Sequence, residues 1–74
     1  MKSLAELAGQ WEIDRWASAM RDVVADIRAD AKHHRAESTS ATTMESAISM
    51  TVRADECDRI AEMLNDAIER EVSR

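Results

Sequence analysis

Apolar residues recur along the first half of the chain at helical spacing, and they fall on two sides. At about 100° per residue, Ile13, Trp16, Met20, Val23, Val24, Ile27 and Ala31 share one side, while Leu4, Leu7, Ala8 and Trp11 lie nearly half a turn away. The first stripe suits burial within the molecule. The second calls for a chain bend, a second subunit or a partner. In the other half, Ala47, Met50, Ala54, Cys57, Ala61, Leu64 and Ile68 follow alternating steps of three and four, the pattern of a coiled-coil seam. Ile60 and Ala67 flank that seam.

The pattern predicts two helices, about 4–35 and about 44–72. Ser3 opens the first, with Glu6 placed to complete a capping box. The run Lys32-His33-His34-Arg35 suits its end, where positive charge meets the negative pole of the helix dipole. Residues 36–43, Ala-Glu-Ser-Thr-Ser-Ala-Thr-Thr, read as the joint, because Ser and Thr side chains compete with helical hydrogen bonding. Thr42 or Thr43 then caps the second helix. Gly9 is able to bend or interrupt the first helix, at a cost of roughly 1 kcal/mol relative to alanine if it stays helical.

Folded about its joint, the chain makes an antiparallel hairpin, with Trp16, Met20 and Val23 roughly opposite Leu64, Ile60 and Cys57. With one glycine and no proline, the chain lacks the usual residues of β turns. The expected fold is therefore all-α, a single domain over 1–74. Two helices make a thin core, so the hairpin is expected to dimerise into a helical bundle. No disulfide framework is available, since Cys57 is the only cysteine, and a structural zinc site is disfavoured for the same reason.

Apolar residues left outside the seam mark where a neighbour sits. On the second helix these are Met44, Ile48, Val52 and Met63. On the first, the line through Leu4, Leu7 and Trp11 continues into Ser18, Ala25, Ala29 and Ala36, whose small side chains let another helix approach. The expected partner or dimer interface is Leu4, Leu7, Trp11, Ala25, Ala29, Met44, Ile48 and Val52.

Charge narrows the partners. The chain carries a net −5, all of it in residues 37–74. That balance argues against nucleic acid and anionic membrane. No stretch is apolar enough for a signal peptide or a membrane span, so the expected location is the cytoplasm, where a lone reduced thiol is at home. On the first helix Arg21, Arg28, Lys32 and Arg35 follow one flank of the core stripe, and Asp22, Asp26 and Asp30 the other. On the second, Asp55→Arg59 and Asp66→Arg70 have favourable i,i+4 spacing.

Chemistry-bearing residues are sparse. Asp30 with His34, or His33 with Glu37, could supply two metal ligands, but nothing supplies a third. Cys57 sits on the seam beside Asp55, Glu56 and Asp58, which oppose thiolate formation. No triad and no phosphate-binding glycine loop is indicated. No enzymatic activity, cofactor or metal is expected.

The segment Arg53-Ala-Asp-Glu-Cys-Asp-Arg-Ile-Ala-Glu-Met-Leu64, after a helix bearing Trp16-Ala-x-x-Met20-Arg, resembles short bacteriophage or prophage accessory proteins. The resemblance implies a small, helical, often oligomeric protein that binds and blocks a host protein, such as a component of a bacterial immune system, in the host cytoplasm. The expected function is a non-enzymatic protein-binding module, an inhibitor in that setting. The alternatives are a self-assembling structural subunit and an oligomeric nucleotide sponge using Arg28, Lys32 or Arg35.

Overall fold

A computed structural model describes residues 3–73; residues 1, 2 and 74 of the expected domain lie outside the described residues. Two α-helices, α1 (Leu4–Ser40) and α2 (Met44–Val72), pack against each other as an antiparallel hairpin. The Cα envelope is a thin rod of 62 × 15 × 10 Å.

Both helices start on a hydroxyl. Ser3 is extended and its Oγ accepts from the Glu6 N–H at 3.2 Å, the Ser-to-backbone half of the expected capping box. Thr43 does the same for α2, accepting from the Ser46 N–H at 3.1 Å. Each cap satisfies a backbone donor that has no partner inside the helix.

The joint is shorter than its composition suggests. Helix α1 continues through residues 36–40, and only residues 41–43 connect it to α2. The hydroxyls expected to break the helix instead bond along it: Thr39 Oγ1 donates to the Arg35 carbonyl and Ser40 Oγ to that of Ala36. Ser38 Oγ reaches across and donates to the Ala47 carbonyl of α2 at 2.9 Å. The basic run Lys32–Arg35 consequently lies in the body of α1, and among the described residues its last turn holds no basic side chain. Gly9 does not interrupt the helix, so Leu4, Leu7 and Trp11 do not fold back.

The Ser38–Ala47 contact fixes the register. Stepping by sevens from that pair, up one helix and down the other, gives Ala31 with Ala54, Val24 with Ala61 and Ala17 with Ile68. All six are buried, at 3% exposure or less, and among the described residues they are the entire buried set. Ala17, Val24, Ala61 and Ile68 form one cluster, with Met20, Ile27 and Leu64 packed against it. A strict repeat of seven on both helices keeps one seam facing one seam. The α2 seam is the one its spacing predicts.

The α1 side departs from its hydrophobic pattern. Trp16 and Val23, expected in the core, are 40% and 43% exposed, and Ala17 takes the buried place. Alanine at 17, 31, 54 and 61 supplies four of the six buried positions, each in a layer with Val24, Ile68 or another alanine. The large side chains one residue earlier are turned by about 100° to the edge of the seam. Ile60, expected opposite Met20, is likewise at the edge, 44% exposed.

Candidate functional site

Alanine burial removes little more than a methyl group from water, whereas burying a leucine or valine is worth about 1.5–3 kcal/mol. Four of the six buried residues are alanines, so most of the apolar surface of this chain is on its outside. That surface falls into separate patches.

All eight residues expected at the interface are exposed, but the structure does not bring them together. Leu4, Leu7 and Trp11 form one group at the open end of the rod, at 86%, 51% and 59% exposure. The last described turn of α2 reaches the level of Gly9 and Ile13, which share a cleft with Arg70 and Glu71; Leu4 and Leu7 stand beyond it. Arg15 covers part of Trp11, its guanidinium carbon 4.7 Å from the ring centroid. Met44, Ile48 and Val52 make a second group on α2 beside the joint. At 1.5 Å per helical residue, the two groups are separated by about 50 Å. Ala25 and Ala29 lie exposed between them.

Between these ends, one edge of the hairpin is charged. Arg35 of α1 donates to Asp55 of α2 at 3.2 Å and makes a shorter bond to Asp58. The hydrogen bond and charge of Asp58, with those of Asp55, hold the Arg35 guanidinium above its ordinary pKa. The anticipated Asp55–Arg59 pair is not made: Asp55 turns to Arg35, and Arg59 pairs with Glu56 at 2.6 Å. Arg35, from the basic flank of α1, thus bridges to the acidic flank of α2 and helps hold the register near the joint.

The opposite edge is apolar, and of its members the sequence pattern sets apart only Met63 for a neighbour, with Ile60 on the flank of the seam. Trp16 and Val23 of α1 stand along it with Ile60 and Met63 of α2. At its open-end side Trp16 borders an open cleft with Gly9, Glu12, Ile13, Ala67, Arg70 and Glu71. The sequence signal for this edge is heptad spacing itself. Positions 16 and 23, and 60 and 67, are seven apart, one residue before the buried repeat on each helix.

Among the described residues, titratable side chains form no cluster that suggests catalysis. His33 Nε2 lies 2.9 Å from Glu37 Oε1, the i,i+4 pair the spacing offers, and His34 Nδ1 faces the same oxygen at 3.6 Å, outside hydrogen-bond reach. Among the described residues no group of three or more His, Cys, Asp or Glu could hold a metal ion. Cys57 is a free, half-buried thiol on the seam. Among the described residues no helix is long and apolar enough to cross a membrane.

No family model matches the sequence, and neither a curated protein nor a solved structure matches it.

Proposed function

We propose that this chain is a non-enzymatic helical module that acts by binding protein, and that its hairpins dimerise into a helical bundle. One observation carries the reading: eleven large hydrophobic side chains, among the described residues, are at least 37% exposed, against a buried set of six that is mostly alanine. Apolar exposure on this scale marks interaction surfaces. A rod two helices thick also offers little means of excluding water from a reacting group, which supports binding over catalysis.

In this reading Leu4, Leu7 and Trp11 are the anchor for a host polypeptide. The likeness to phage accessory proteins supplies the setting, an inhibitor of a host component such as a bacterial immune factor, acting in the host cytoplasm. A nucleotide sponge is less well supported, because Arg35 is already engaged by Asp55 and Asp58.

The test is cross-linking of the tagged chain in bacterial cells, wild type beside Trp11→Ala. A stoichiometric polypeptide that disappears with Trp11→Ala supports the reading. A chain that stays monomeric at every concentration and cross-links to nothing overturns it.

A further inference from the structure

We propose that the edge carrying Trp16, Val23, Ile60 and Met63 is where a second copy of this chain docks, face to face, α1 of one hairpin over α2 of the other. This deepens the protein-binding reading by naming one surface and its occupant.

The geometry starts from the cleft that Trp16 and Ala67 share. One heptad further along each helix, Val23 comes level with Ile60; another heptad brings Asp30 level with Arg53. Met63 and Ala19 adjoin this strip from the outer sides, three residues from Ile60 and Trp16. The result is an apolar block spanning both helices, its large members 40% to 62% exposed, and Asp26 and Glu56 stand on its outer edges where it ends. An apolar centre within a charged rim is the anatomy of a protein interface.

The charges at the two ends argue for self-recognition. At the open end the cleft carries Glu12 from α1 and Arg70 from α2. Toward the joint the strip meets Asp30 from α1 and Arg53 from α2. In these two pairs the acid comes from α1 and the base from α2, and Glu71 of α2 also lines the cleft. A two-fold axis running along the rod lays α1 over the partner's α2 at the same level. Each Glu12 then faces an Arg70 and each Asp30 an Arg53, while the bulky Trp16 faces the small Ala67. On the outer rim each Asp26 then faces a Glu56, one like-charge pair set against the two complementary ones that a second copy supplies by symmetry.

Gly9 fits the same arrangement. It sits mid-helix with nothing within 4 Å of where a Cβ would be, so nothing inside the hairpin requires glycine there. It lies in the cleft, on the docking side.

The experiment is solution mass by light scattering after size exclusion, over a wide concentration range, with helicity followed by circular dichroism. The wild type is expected at twice the chain mass of 8.3 kDa. Ile60→Glu is expected to raise the dimer dissociation constant about tenfold or more without loss of helicity, since the side chain is already at the surface. Met63→Glu, more exposed still, carries the test if Ile60→Glu unfolds. Ile48→Glu, remote from this edge, should leave the dimer intact. A dimer that resists both Ile60→Glu and Met63→Glu, or that Ile48→Glu splits, overturns the proposal. So does a monomeric wild type, and if that monomer still captures a polypeptide through Trp11, the protein-binding reading survives alone.

Discussion

Ser38 Oγ and the Ala47 carbonyl oxygen, 2.9 Å apart, tie the last turn of α1 to the first turn of α2. Thr51 Oγ1 donates to the same carbonyl at 3.0 Å. Because both helices repeat in sevens, this one contact decides which alanine meets which along the whole rod. Ser38→Ala removes the hydroxyl's contacts with the Ala47 carbonyl and with Thr51 Oγ1, 2.9 Å away, and is expected to cost about 1 kcal/mol. Urea unfolding by circular dichroism reads it. A loss no greater than that for Ser40→Ala, whose hydroxyl bonds only within its own helix, would show that the register is set elsewhere.

The alanine layers should tolerate no enlargement. Ala31 and Ala54 face each other at 1% and 0% exposure, so Ala31→Leu forces the helices apart and is expected to destabilise by about 1–3 kcal/mol. Ala29→Leu, on the outside of the same helix, is the control and should be close to neutral. A similar loss at both positions would place the seam incorrectly.

Gly9→Ala is expected to stabilise the hairpin by about 0.5–1 kcal/mol through helix propensity alone, since the added methyl meets nothing in the chain. The measurement belongs at concentrations where the protein is monomeric. Destabilisation there would mean that the cleft beside Gly9 is narrower than described.

The Arg35 ion pairs lie in solvent, half-exposed on both sides. Arg35→Gln should lower the melting temperature slightly in low salt, and the difference from wild type should vanish near 1 M salt, where screening acts over about 3 Å. A difference that persists in high salt would show that Arg35 acts through its apolar stem rather than its charge.

Trp11→Ala should leave helicity and melting nearly unchanged, because the indole is 59% exposed at the end of the rod and carries Arg15 over its ring. Leu64→Asp should unfold the hairpin, since it sets a carboxylate against the Ala17–Val24–Ala61–Ile68 cluster. Thermal melts of the two variants side by side separate the surface tryptophan from the seam.

Much of the fold is legible in the sequence. The steps of three and four from Ala47 to Ile68 name the α2 seam, and the caps at Ser3 and Thr43 stand where their residue types predict. The α1 seam is harder to read because hydrophobicity outweighs size in a stripe. Trp16 and Val23 draw attention away from Ala17, although Ala17 is the residue that stands opposite the buried Ile68. Counting back by sevens from Ala31 through Val24 would have found it. The joint misleads for a related reason. Ser38, Thr39 and Ser40 look like helix breakers until each hydroxyl is given an acceptor, and one of those acceptors, Ala47, lies on the other helix. Among the binding surfaces, Leu4, Leu7 and Trp11 stand out by their opposition to the main stripe. The Trp16–Ile60 edge does not, since it takes shape only once the two helices are in register.

Thinness has its own consequence. With a Cα depth of 10 Å, the Trp16 edge and the side bearing Arg35 are separated by little more than one helix diameter, about 10–12 Å with side chains. A body held against one side leaves the other open to solvent along its full length. Two large objects grasped at once by this rod would be brought nearly into contact, with only a slat of backbone between them.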